Sequence, residues 1–199
     1  MEQMVIEGIN PFMKSNRPRP GLFDETVLRK TAEELARRAI KECSGLREEE
    51  FEEIVQDILV EVDSYSSGYQ ICRNLESAGW YFDGDDLVDV FGEMGVIRHR
   101  FHREAVKQWV IDAQIEPSFE VGAKVVFFHK DKREDVRGEI AKVERETGEY
   151  VVFCQSLGHV RTGSGTHGLI LPFEICKKYE KKEDPSRGLP LPLEGEGVK

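Results

Sequence analysis

Cysteine is sparse in this chain and never closely paired. Cys43, Cys72, Cys154 and Cys176 are spread over 199 residues with no Cys-x-x-Cys, which argues against a zinc site built from cysteine pairs. No apolar run is long enough to span a bilayer. The start, Met1-Glu2-Gln3-Met4, has no basic region followed by an apolar stretch, so no signal peptide is expected. Together these point to free thiols in a reducing cytoplasm and to no membrane contact. There is no internal repeat, no nucleophile elbow and no P-loop lysine. The functions that announce themselves by motif are therefore not announced here, and no cofactor is implied.

Acidity is abundant but uneven. The net charge is −10, and residues 24–95 alone carry 19 Asp/Glu against 7 Lys/Arg. Residues 96–137 reverse the balance, with 7 acids against 9 bases. A strongly acidic block repels phosphate and suits basic partners. Apolar content of 39% is enough for a core.

Periodicity divides the chain. Residues 1–21 hold Pro11, Pro18 and Pro20 and read as an extended arm. Apolar spacing of three and four residues predicts helices over 25–43, 48–63, 69–78, 85–94 and 96–114. Asp24, Ser67 and Asp83 stand at capping positions. The second helix is the clearest, with Phe51, Ile54, Val55, Ile58, Leu59 and Val62 on one side. The fifth should bury Ile97, Phe101, Ala105, Trp109 and Ala113. Trp80-Tyr81-Phe82 is expected in the core, since aromatic rings bury large areas. After Phe119 the period falls to two, and 124–129, 137–144, 149–155 and 169–173 read as strands. From Lys177 the composition becomes that of a charged, Pro/Gly-rich tail. The expected organisation is an arm at 1–21, an acidic helical domain at 22–116, a β domain at 117–176 and a tail at 177–199: an α+β protein.

Phe119-Glu120-Val121-Gly122-Ala123-Lys124-Val125-Val126-Phe127, followed by Gly138-Glu139-Ile140-Ala141-Lys142-Val143, resembles the opening of SH3-like barrels of the KOW and Tudor kind. The resemblance covers residues 119–176. It implies a small antiparallel barrel that contacts nucleic acid, ribosomal or polymerase components, or other proteins. The connection at 156–168 is longer than such modules usually have.

That connection is the most unusual stretch. Residues 158–168 hold four glycines, two histidines, an arginine and three hydroxyls between strand-like segments. A polar loop of that length is costly to order without a purpose. It formally contains G-x-G-x-x-G at 163–168, but Leu169-Ile170-Leu171-Pro172 follows where a dinucleotide motif needs a helix. What remains is a candidate binding loop: glycine backbone that can cradle an anion, with His159, Arg161, Thr162, Ser164, Thr166 and His167 as side-chain contacts.

Two charged faces are the other candidates. The fifth helix carries Arg98, Arg100, Arg103 and Lys107, candidate nucleic-acid contacts that can track phosphates. The second helix turns Glu49, Glu52, Glu53 and Asp57 away from its apolar side, a face for a basic protein partner. Three further constellations are weaker. His99 and His102 sit at i and i+3 but lack a third ligand nearby. Asp83-Gly84-Asp85-Asp86 lacks the alternation and closing Glu of a calcium loop. Cys154 or Cys176 beside His159 or His167 could serve covalent catalysis, although a buried thiol is the commoner arrangement. The sequence reads best as a non-enzymatic cytoplasmic interaction protein, an adaptor, regulator or inhibitor. It would bind a component of nucleic-acid machinery, such as a basic nucleic-acid-binding protein. The alternatives are direct RNA or DNA binding through the fifth helix, and a small enzyme with His159 or His167 as general base.

Overall fold

A computed structural model describes residues 18–43, 45–62, 66–81, 86–158, 161–162, 165–166 and 168–179, with backbone alone at 86, 161–162 and 165–166. It contains five helices and a five-stranded antiparallel sheet, a mixed α+β architecture. The chain divides into two compact units. The boundary falls between Ser118 and Phe119, and Val143–Glu149 belong with the first unit.

In the first unit, α1 (Glu25–Glu42) begins where the Asp24 carboxylate accepts from the Thr26 amide at 3.1 Å and the Thr26 hydroxyl at 2.7 Å. That satisfies an amide that the helix itself leaves orphaned. Val27, Leu35, Ala32, Ala36 and Ala39 are buried along one stripe. The alanines permit close approach by α2 (Phe51–Val62), which a 3-10 turn of three glutamates precedes. Ile54, Val55, Ile58 and Val62 complete the seam.

Next come α3 (Gly68–Ser77), capped by the Ser67 hydroxyl, and α4 (Asp86–Gly92). They cross so closely at Gly68 that any Cβ there would strike the Val88 carbonyl oxygen. Helix α3 stops at Gly79, φ +105°, as the Trp80 amide reaches back to Leu75 and the Gly79 amide to Glu76. This is the Schellman arrangement. The same arrangement ends α5 (Met94–Asp112), with Gln114 at φ 51° in the position glycine usually takes.

Two departures from the sequence reading concern this unit's interior. Of Trp80-Tyr81-Phe82, Trp80 is partly buried, its indole N–H donating to Asp57 at 2.8 Å. Tyr81 is 91% exposed, and Phe82 lies outside the described residues. The turn after Gly79 aims Trp80 inward, and its neighbour must then face out. On α5, Met94, Ile97, Val106, Trp109 and Val110 are buried, while Phe101 and Ala105 are half-buried. Arg98 joins the buried set at 3% exposure. Its Nη1 donates to the Val62 carbonyl, the last of α2, at 2.7 Å, and its guanidinium lies 4.7 Å from the Phe23 ring centroid. A cation at a helix C-terminus meets both the orphan carbonyl and the negative end of the dipole.

The proline-rich arm also has a fixed end. Arg19 donates to the Thr147 and Gly148 carbonyls and to the Glu149 carboxylate, and stands 5.6 Å from the Trp109 ring centroid. Gly148 has φ +63° in this turn.

In the second unit the strand order is β6-β3-β2-β1-β7. Here β1 is Lys124–His129, β2 Glu134–Glu144, β3 Glu149–Phe153, β6 Leu169–Pro172 and β7 Lys177–Lys178. The register of β1 on β2 sets Lys124 opposite Glu139, Val126 opposite Arg137 and Phe128 opposite Asp135. Val125, Phe127, Val136, Ile140, Tyr150 and Val152 are all buried. At the middle of this core Tyr150 accepts from the Phe119 amide at 3.0 Å and packs on Phe173, centroids 4.2 Å apart. The expected tail is corrected at its start, since Lys177–Lys178 pair with β1 and the Tyr179 amide donates to the Lys124 carbonyl. In the described ladder β6 and β7 are edges, so the sheet is open rather than closed into the expected SH3-like barrel.

Arg98→Met keeps the apolar stem but removes the buried donor from Val62. It should lower unfolding free energy by about 2–3 kcal/mol in a denaturant titration. Arg103→Met, on the exposed side of the same helix, should change it by less than about 0.5 kcal/mol.

Candidate functional site

The glycine-rich segment is not a plain loop. After Gly158, held at φ +75°, the backbone forms a short antiparallel ribbon of β4 (Arg161–Thr162) and β5 (Gly165–Thr166). Arg161 stands opposite Thr166 and Thr162 opposite Gly165. A ladder of two residues on each side is too short to appear as alternation in the sequence, where this stretch reads as a loop. His159, Ser164 and His167 lie outside the described residues, as do the side chains of Arg161, Thr162 and Thr166. The ribbon's exit is constrained. A Cβ on Gly168 would stand 2.7 Å from the Val152 carbonyl oxygen, so glycine is what permits the chain to pass β3.

The basic residues of α5 do not form one free cationic face. Arg98 is buried and points toward α2, which removes it from any surface. Arg100 lies 3.6 Å from Glu34 and 4.6 Å from the Phe101 ring centroid. Lys107 donates to Glu146 at 2.6 Å, and that bond, followed by the charge of Lys107, holds the Glu146 carboxyl below its ordinary range. Arg103 is exposed and adds a weaker charge effect on Glu146. Spacing of three to four residues relates Arg100, Arg103 and Lys107 along the helix. Their partners come from distant parts of the chain and are invisible to spacing.

The acidic face of α2 shows the opposite outcome. Glu48, Glu49, Glu50, Glu52 and Glu53 are all exposed. Glu52 pairs with Arg29 at 2.9 Å, and Asp57 is taken by the Trp80 indole. For Glu48, Glu49, Glu50 and Glu53 no ion pair or side-chain hydrogen bond occurs among the described residues. The Tyr81 backbone passes close to Gly45, in the turn that leads to Glu48, since its carbonyl oxygen would stand 3.3 Å from a Cβ there, and the Tyr81 side chain is exposed. An exposed tyrosine here was missed from the sequence, where three adjacent aromatics read as core. Gly79 was the available signal, since a left-handed cap changes the direction of the chain.

The remaining candidates are structural. The Cys154 and Cys176 thiols are buried in the second unit. Burial first, and then the nearby Cys154 and Glu174, pushes Cys176 up to about 12. Burial likewise raises Cys154, and it raises Cys72 to about 11. A thiol held protonated is a poor nucleophile. Of the histidine pair, His102 sits 3.1 Å from the Pro20 carbonyl oxygen, while His99 is exposed. Among the described residues no three His, Cys, Asp or Glu side chains gather to hold a metal. Nor is any helix among them long and apolar enough to cross a membrane.

A thiol-reactive dye at pH 8 should label Cys43 in the native protein, with Cys72, Cys154 and Cys176 reacting only in denaturant. Fast native labelling of Cys176, read by peptide mass mapping, would contradict its burial.

No family model, curated protein or solved structure matches this chain.

Proposed function

We propose that this chain is a non-enzymatic interaction protein that holds a basic protein partner on the acidic face of α2. The observation that carries the reading is the set Glu48, Glu49, Glu50 and Glu53, exposed and meeting no cation among the described residues, while most acids of α1 are paired. Glu33 and Glu34 meet Arg29, Arg37, Arg38 and Arg100 within the unit. Arg29 also reaches Glu52 on α2, and Glu48, Glu49, Glu50 and Glu53 stay outward and negative. Exposed Tyr81 supplies a rigid amphipathic contact of the kind that dominates interface energetics. Electrostatic complementarity of this sort steers association and selects partners.

A partner built to hold nucleic acid would offer the required basic surface. In this reading the protein works with nucleic-acid machinery as an adaptor, regulator or inhibitor. The ribbon at 158–168 is the second contact surface in this reading. Four cysteines without a disulfide suit a cytoplasmic setting. Direct nucleic-acid binding through α5 is less well supported, because Arg98 is buried and Arg100 and Lys107 are paired.

The test uses a fluorescent lysine/arginine-rich peptide and anisotropy. Glu49→Lys with Glu53→Lys should weaken binding at least about tenfold, a loss of roughly 1.4 kcal/mol, and flatten its salt dependence. The same charge change at Glu104 and Glu116 should leave affinity within about twofold after the shared long-range term is screened by salt. Equal weakening by both pairs would mean net charge alone is sensed, and the proposal would fall. Tyr81→Ala should cost affinity without changing the melting temperature.

A further inference from the structure

The outward face of the second unit's sheet carries a cleft of about 390 Å³ that neither charged helix contributes to. Its walls include Lys124, Arg137, Glu139, Phe153, Gln155 and Tyr179. The strand period explains why they meet. Val125, Val136 and Ile140 face the core, so Lys124, Arg137 and Glu139 project the other way. Tyr179 joins them because its amide donates to the Lys124 carbonyl at 3.2 Å, which extends the β7 edge by one residue.

The Arg137 guanidinium lies 4.6 Å from the Tyr179 ring centroid, so its plane is held in place by the ring. Beyond the cleft the same face continues along β1 through Val126 to Phe128, which is 57% exposed. Lys177 stands opposite Val126 in the register and is exposed. From Lys124 to Phe128 the row covers roughly 13 Å of strand.

The chemistry of the face selects among ligands. The cleft sets two cations against one carboxylate, a local excess of positive charge in a chain of net charge −10. A cationic ligand is disfavoured, because Arg137 already occupies a face of the Tyr179 ring. An acidic peptide would use the cations but leave the aromatic surfaces idle. A single nucleic-acid strand uses both kinds of group: phosphates on Arg137, Lys124 and Lys177, and bases stacked on Phe128 and Phe153. Gln155 and Glu139 can hydrogen-bond to base edges. Duplex nucleic acid keeps its base faces stacked inside, and a flat sheet face has no element to enter a groove. We infer that the outward face of β1, β2, β3 and β7 is a stacking platform for a single strand of DNA or RNA. The cleft seats one nucleotide, and Phe128 meets a neighbouring base.

The experiment measures anisotropy of fluorescein-labelled oligothymidylate and oligouridylate with the full chain. Binding should be detectable at low ionic strength and fall as salt rises. Phe128→Ala, at an exposed position, and Arg137→Gln should each weaken it at least about fivefold at unchanged melting temperature. Arg103→Gln with Lys107→Gln on α5 should leave it unchanged. No binding at low salt overturns the inference. So does wild-type affinity in Phe128→Ala and Arg137→Gln, or loss confined to the α5 variant. Competition tests the ligand class: poly-glutamate, thymidine monophosphate or a duplex of the same sequence should each compete poorly. Competition by any of them equal to that of the unlabelled strand refutes the single-strand platform.

Discussion

A buried guanidinium is the constraint around which the helical unit is arranged. Arg98 is placed by α5, satisfies the last carbonyl of α2, and is covered by the Phe23 ring from the segment before α1. Three parts of the chain must be in position for that charge to be tolerated, because an ion taken from water needs its hydrogen bonds remade. The interaction is therefore stronger as a specification of geometry than as a source of net stability. It ties the end of α2 to α5, while the buried stripe of Ile54, Val55, Ile58 and Val62 sets which side of α2 meets solvent.

The outward acidity of α2 follows from how cations are shared. In the first unit, arginines on α1 and α5 meet Glu33 and Glu34, and Lys107 meets Glu146. Such exposed pairs contribute little stability each. Their larger consequence is for surface potential: they offset charge on α1 and on part of α5, while the three-glutamate turn and Glu53 meet no cation among the described residues. Asp57 is withdrawn from that face to hold Trp80, which in turn exposes Tyr81. The sheet unit solves a different problem. Its core is centred on Tyr150, and glycine at 138 and 168 lets neighbouring segments approach more closely than a Cβ allows. Its outward face is consequently free to carry aromatic and cationic side chains that the core does not need.

The two proposed surfaces, one on each unit, would suit a protein that brings a basic partner and a nucleic-acid strand into one assembly. The acidic face would disfavour phosphate and the sheet face would attract it, so each surface would discourage the ligand of the other. Discrimination by repulsion as well as attraction is a common basis of specificity.

Periodicity was enough to determine the class of this protein and the order of its five helices and four longer strands. Helical spacing in residues 25–112 and alternation after Lys124 are local consequences of backbone geometry, so Asp24, Ser67 and the apolar stripe of α2 were legible without coordinates. The acidic face of α2 was legible for the same reason. Tertiary structure decided what each charged or aromatic residue does. Spacing placed Arg98 beside Arg100 and Lys107, but only packing buried the first and paired the other two. Composition placed Lys177–Lys178 and Tyr179 in a tail, yet edge pairing with β1 drew them into the sheet and set Tyr179 under Arg137. These outcomes depend on contacts between residues tens of positions apart, and local sequence carries no record of which distant partner will satisfy a given side chain.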